Sequence, residues 1–465
     1  MKTYDELKYE VKNGFIDLSE ADKAEMFALC DDYREFLAKG KTERQCCNLA
    51  IQIAESAGFA PLESKSSLVA GDKVYAVNRG KGIALAVIGE DAVSAGTNIV
   101  GAHIDVPRLD LKPVPLYEDG GFALLKTHYY GGIKKYQWTA IPLAIHGVVI
   151  KADGSSVEIN IGEDENDPIF CISDLLPHLA QNQMQKKMSE AIEGEGLNVL
   201  IGNIPDSEKG AKESVKSHTL KLLHEKYGIV ERDLVSAEIQ IVPAFAPRDI
   251  GFDRSMVAGF GQDDRVCSYT ALRAILEVSK PKNTAICLLV DKEEIGSMGN
   301  TGMKSRWFEN LLAKMCNLQS SNYSDLLVRD ALSNSKCLSA DVCAAFDPNY
   351  PDVKEKQNSA ILNCGLQLTK YTGARGKSGA SDASAEFVGQ VRKIFEDANV
   401  RWQTGILGKI DLGGGGTIAQ YVANLDVDVI DCGVPLLSMH APYEVAGKFD
   451  IWSSYRGYKA FMEAN

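Results

Sequence analysis

Histidine is scarce in this chain: seven among 465 residues, at positions 103, 128, 146, 178, 218, 224 and 440. Any imidazole ligand therefore comes from a short list. No CxxC pair occurs among the eleven cysteines, and an odd number of thiols without a secretory context reads as reduced cysteines in a cytosolic protein. The adjacent Cys46-Cys47 reads as a helix-packing pair. Basic charge is in deficit, with 50 Lys and Arg against 63 Asp and Glu and a net charge of −13. That balance argues against a nucleic-acid surface. No apolar run reaches the roughly 20 residues that span a bilayer. The opening stretch MKTYDELKYEVKNG is polar and charged, unlike a signal peptide. We therefore expect a cytoplasmic protein with neither a membrane nor a nucleic acid as partner.

What is present fits a folded globular chain of two or three domains. Ser19-Glu20-Ala21-Asp22 has capping chemistry ahead of a helix, and Thr42 to Ala57 repeats the helical spacing and stops at Gly58. Lys73–Val77 and Gly82–Ile88 read as a hairpin. Thr97–Ala102 and Thr284–Val290 are apolar throughout, as strands buried on both faces are. Between Leu109 and Pro247 the texture changes. Strand-like segments (Phe122–Leu125, Ala144–Lys151, Val157–Ile161, Ala237–Phe245) mix with a polar helical stretch, Leu179–Glu193, and a helix over Lys212–Tyr227. This reads as a β-rich insertion at 109–247 in an α/β domain formed by 1–108 and 248–465. His128, His146, His218 and His224 fall in it and read as surface or core histidines, and Gly162–Asp167 as a solvated loop. Helices are expected near Ser305–Met315 and Ser321–Asp330.

Chemistry-bearing residues recur at strand ends, where ligands of open α/β sheets bind. Thr97–Ala102 runs into His103-Ile104-Asp105. The histidine can ligate a metal and the aspartate can hold its other ring nitrogen. Gly261-Gln262-Asp263-Asp264 opens a helix; one aspartate reads as a cap, and the second is free for a cation. Thr284–Val290 ends in Asp291-Lys292-Glu293-Glu294, whose neighbouring side chains diverge, so that one can bind a metal and the other move a proton. Ser339-Ala340-Asp341 and Phe346-Asp347-Pro348 each offer an aspartate, and the pattern does not choose between them. Gly413-Gly414-Gly415-Gly416-Thr417 has no Walker lysine and reads as a backbone turn close to substrate. A last histidine, His440, follows the strand Val427–Gly433. Two histidines and three carboxylates suffice for two zinc ions sharing one carboxylate. Such ions, roughly 3.5–4 Å apart, activate a bridging water and polarise a carbonyl.

The motifs GAHIDVPR, GFGQDDR, VDKEEIGS, SADVCAAFDPNYPD and LLSMHAPYE, in this order, resemble the aspartyl aminopeptidase family of dinuclear zinc metallopeptidases, its bacterial branch most. The resemblance implies a zinc-peptidase-like α/β catalytic domain, with a mixed sheet flanked by helices, interrupted by a β-rich dimerisation domain. It implies an aminopeptidase that removes N-terminal residues, acidic ones in some members, from peptides. Two Zn2+ per subunit are implied, with His103, Asp263, Glu294, Asp341 and His440 as ligands; Co2+ and Mn2+ suit the same ligands. Glu293 resembles the general base, Asp105 the aspartate orienting His103, and His178 a histidine lent to a neighbouring subunit's active site. Dimers assembled into a tetrahedral dodecamer are implied as well. The sequence departs from the acidic-specific members at Cys364–Arg375, where no lysine falls in register, although Lys370, Arg375 and Lys377 stand nearby. On residues alone, another dinuclear amidohydrolase, a carboxypeptidase or deacylase, would use the same ligands, as would a metal-dependent scaffold.

Overall fold

Strand Thr284–Val290 is buried at every position, and its side chains divide by parity. Ala285, Cys287 and Leu289 enter one core and Ile286, Leu288 and Val290 another, as the two-residue period of a strand requires. In this computed structural model, which describes residues 3–207 and 212–465, the strand belongs to a nine-stranded mixed sheet. Four parallel strands form its centre, in the lateral order Thr284–Val290, Thr97–His103, Lys336–Ser339 and Asp428–Gly433. Ile83–Val87 and Leu366–Thr369 flank them antiparallel. One face is covered by helices that include Glu20–Lys39, Glu43–Ser56, Gln262–Glu277 and Lys448–Glu463. The other carries Trp307–Gln319, Asp325–Ser333 and Ala419–Ala423.

The caps follow the sequence. The Ser19 hydroxyl accepts the Asp22 N–H, and Thr42 and Gln45 form a reciprocal capping box. Cys46 and Cys47 are buried as a packing pair, and all eleven cysteines are free thiols.

Residues 108–243 build a separate six-stranded antiparallel sheet with its own apolar core. Its longest strand, Arg108–Asp119, was not legible in the sequence. Pro113 and Pro115 break its alternation, and the register with Phe122–Tyr130 shifts between Leu111 and Leu116, where prolines are tolerated. The expected helix over Leu179–Glu193 is broken into two short pieces, Gln181–Gln185 and Met188–Ala191, because Lys186 is extended. Leu179, Met184 and Met188 are all exposed, so no apolar face packs to hold a longer helix together. The acidic loop at 162–167 is also more than solvated surface. Glu163 meets His146 at 3.0 Å and the buried Lys41 at 3.6 Å.

A third sheet has five strands, in the order Arg248–Ile250, Met256–Gly259, Glu444–Gly447, Pro435–Leu437 and Cys343–Ala344.

Candidate active site

The four central parallel strands all discharge at one end of the sheet. Thr97–His103 ends on His103, Thr284–Val290 leads to Glu293 and Glu294, and Lys336–Ser339 leads to Asp341. Asp428–Gly433 continues through Pro435–Leu437 to His440. Asp263 comes from the beginning of helix Gln262–Glu277. Neither Asp263 nor Asp264 has helical φ/ψ, and the peptide bond between them is cis. The N-cap position is Gly261 and no side chain caps the helix, so neither aspartate is the cap, and the Asp263 carboxylate faces the strand ends.

That carboxylate is shared. Its Oδ1 lies 3.3 Å from His103 Nε2 and its Oδ2 lies 3.2 Å from His440 Nε2. Two sets of ligand atoms result, each within 4.8 Å of one another: His103, Asp263 and Asp341, and Asp263, Glu294 and His440. Asp347 is elsewhere; its Oδ1 accepts the N–H of Asn349 in its own turn.

Both imidazoles are held from behind. His103 Nδ1 donates to the Asp105 carbonyl at 3.0 Å, and His440 Nδ1 to the Gly132 carbonyl at 2.7 Å. With Nδ1 donating, Nε2 is the nitrogen that faces inward, and once it gives up its proton it offers the lone pair that a metal requires. The Asp105 carboxylate stands 3.3 Å from the same His103 nitrogen, but it has further partners. It accepts the N–H groups of Glu293 and Glu294 and the Tyr130 hydroxyl, fixing the loop that carries both glutamates.

The electrostatics are those of a crowded anion cluster. Burial pushes the Glu294 and Asp341 carboxyls well up, and nearby carboxylates add to it. Burial likewise raises Glu293 to about 7, with His103 opposing and Asp105 and Asp263 reinforcing. Burial also works against a charged His440, yet Asp263 and Glu294 lift it to about 10. Burial opposes Asp263 as well, but hydrogen bonds from the two histidines hold it below the ordinary carboxylate range. Glu294 Oε1 is buried without a hydrogen-bond partner among the described residues. An orphaned carboxylate oxygen, two inward imidazole nitrogens and a surplus of buried carboxylates fit a divalent cation, and the mixed N/O donor set suits zinc.

Three contributors escaped sequence reasoning. Glu444, 1% exposed, accepts the backbone N–H of Asp263 at 3.1 Å and of His440 at 2.7 Å, tying two ligand-bearing backbones together. Its position four residues after His440 was the only signal. Tyr130 and Gly132 come from the 108–243 segment, and no local pattern links them to the strand ends. Asp264, the second of the aspartate pair singled out in the sequence, accepts the His103 N–H at 3.4 Å. His178, by contrast, sits on an exposed turn, Pro177–Leu179, outside both ligand sets.

The cluster opens into a cavity of about 430 Å³, lined also by Gly414, Gly415, Gly416 and Thr417. The glycine run therefore borders the site, as its sequence suggested. At Gly413 a Cβ would lie 1.9 Å from the Leu407 carbonyl oxygen, so the loop closes only with glycine there.

A doubly covered α/β sheet whose strand ends gather imidazoles and carboxylates around one shared aspartate defines a metallohydrolase. The chain belongs to the M18 family, described as aminopeptidase I zinc metalloprotease, which matches residues 36–462. It is therefore a zinc aminopeptidase, an enzyme rather than a scaffold. A probable M18 family aminopeptidase 1 from Clostridium acetobutylicum is 53% identical over 98% of this chain and 99% of its own. The crystal structure of an M18 aminopeptidase from Thermotoga maritima superposes with a TM-score of 0.95 at 48% identity, covering 98% of this chain and 100% of that one. The mApe1 dodecamer from S. cerevisiae, 20% identical with a TM-score of 0.76 over 94% of this chain and 97% of that one, shares the fold.

Proposed function

We propose that the aminopeptidase works through two zinc ions per subunit. His103 and Asp341 would hold one, Glu294 and His440 the other, with Asp263 between them. The observation that carries this reading is the division of the Asp263 carboxylate, one oxygen to each histidine. When bound, the ions supply Lewis acidity toward the scissile carbonyl and its attacking water. Cobalt or manganese would suit the same donors. The protein's own part is positional and protic. Glu293 Oε2 reaches to 3.9 Å from His103 Nε2, and as general base it takes the proton of the attacking water and returns it to the leaving amine. Asp105 keeps Glu293 in place through its backbone N–H.

Acidic N-terminal residues are poor substrates in this reading. Among the described residues, no lysine or arginine lines the cavity. Of the nearby cations Lys370, Arg375 and Lys377, the two lysines pair with Asp382, at 3.1 and 3.0 Å, and Arg375 lines a separate cavity.

Residues 109–247 act as the dimerisation domain, on a catalytic body made of 1–108 and 248–465. Leu175, Leu176, Leu179, Met184 and Met188 are exposed along the His178 segment, which suits a surface covered by another copy. There His178 would reach a neighbouring subunit's site. Dimers would build a tetrahedral dodecamer in the cytoplasm.

The test is hydrolysis of an aminoacyl-p-nitroanilide panel by metal-stripped protein with zinc, cobalt or manganese restored singly. Metal-dependent release from free-amine substrates, with N-acetylated ones inert, is the expected outcome. Cleavage of N-acetylated substrates instead would point to a deacylase or carboxypeptidase.

A further inference from the structure

The substrate cavity contains two acceptors that the reaction does not use. Asp431 and Gln367 sit on adjacent strands, Asp428–Gly433 and Leu366–Thr369. Thr369 is the cross-strand partner of Asp431, and Gln367 lies two residues from Thr369. By strand parity all three side chains share one face of the sheet, and all three line the cavity that holds Asp263, Glu293 and His440. Asp431 is 4% exposed and Gln367 1%.

Each has one buried oxygen without a hydrogen bond among the described residues. Thr417 donates to Asp431 Oδ1 at 2.6 Å, while Oδ2 is buried without a partner among the described residues. The Ser339 hydroxyl donates to Thr417 at 3.4 Å and also stands near enough to the Asp431 carboxyl to favour its charged form. Gln367 spends its amide N–H on Thr369 at 2.7 Å, and its Oε1 is likewise buried and unpartnered. Leaving a buried acceptor unpaired costs about 1–3 kcal/mol, more for a charged group. A side chain that donates to either would recover its cost, and an ammonium or guanidinium would do so at Asp431 through a charge-assisted bond. An apolar side chain of the same length would recover none of it. A carboxylate would meet two acceptors and a like charge.

We propose that Asp431, with Gln367 beside it, is a specificity-determining residue that selects peptides whose N-terminal side chain is a hydrogen-bond donor, lysine and arginine foremost. The inference rests on the aminopeptidase reading of the neighbouring carboxylate and imidazole cluster. It names the substrate class that this cluster serves.

Norleucine separates the two ideas, because it is the lysine stem without the ammonium. The experiment compares kcat/KM of the zinc-loaded full-length enzyme for lysyl- and norleucyl-p-nitroanilide, in the wild type, Asp431→Asn and Gln367→Leu. The wild type should favour lysyl by about tenfold or more, since a site built for a donor rejects the analogue lacking it. Asp431→Asn should collapse that ratio, and Gln367→Leu should reduce it in part. A wild type that cleaves norleucyl as well as lysyl overturns the inference, whether or not either variant folds. So does an Asp431→Asn enzyme that loses both activities in equal proportion. That pattern would mean the carboxylate serves something every substrate shares, such as its α-ammonium, or holds the Thr417 loop. If the wild type cleaves neither substrate with zinc restored, the aminopeptidase reading itself fails, a result distinct from the other two.

Discussion

Asp263 and Glu293 separate two roles that single substitutions can tell apart. Replacing Asp263 with alanine removes the carboxylate that both histidines face, and the zinc content of the purified variant should fall at both positions rather than one. Atomic absorption after exhaustive dialysis measures this; retention of full zinc would contradict the sharing. Glu293→Gln keeps the shape and removes the base. Zinc content should hold while kcat drops by about 10²–10⁴, the usual worth of a positioned proton carrier. How much of this was legible depended on adjacency. His103 with Asp105 and the Glu293-Glu294 pair each showed two chemical groups close together at a strand end, and the Asp263-Asp264 pair did so at a helix start. Asp341 and Asp347 looked alike until the fold turned one into the cluster and the other into its own loop. The Glu444 carboxylate accepts the backbone N–H groups of Asp263 and His440, and Gly132 offers its own carbonyl to the His440 ring. No residue pattern records such a contact.

At the scale of elements, apolar runs with clear parity could be read directly, and Thr284–Val290 has the bounds its composition suggested. Arg108–Asp119 could not be read, because its prolines mask a strand that survives by shifting register. The loop after Leu407 makes a sharper test. A Cβ at Gly413 would overlap the Leu407 carbonyl, so Gly413→Ala should displace the glycine run bordering the cavity. KM should rise and thermal stability should fall by roughly 1–3 kcal/mol, within the range for overpacking.

The join between the two sheets gives a pH-dependent prediction. Burial pushes the Glu43 carboxyl up, but Arg108, 3.6 Å away, and the Gln240 amide outweigh it and hold Glu43 below its ordinary range. A depressed carboxyl stabilises the fold above its unfolded pKa, and the contribution is lost as pH falls through the folded value. Arg108→Met removes the partner and leaves a buried charge, a loss of about 3–5 kcal/mol at neutral pH. The Tm gap between wild type and variant should be wide at pH 8 and narrow as pH drops below the usual glutamate range. A gap independent of pH would show that packing, not charge, is what Arg108 supplies.

For the whole molecule, the cation is part of the stability as well as the chemistry. Ions that bind only the folded site stabilise it by mass action. Chelation should therefore lower Tm by several degrees and abolish hydrolysis, and zinc should restore both. Light scattering with and without His178→Ala would test the assembly. A dodecamer that persists with reduced activity is the expected result for a residue lent across subunits.

The Gly132 carbonyl behind His440 has one more implication, for protein engineers. A designer seeking a minimal catalyst would be tempted to delete the appendage and splice its ends, since it folds around its own apolar core. The excised fragment would take with it the contact that keeps one imidazole pointing at its target. The stripped-down catalyst would hold a ring free to rotate, and would have to rebuild that support before it could work.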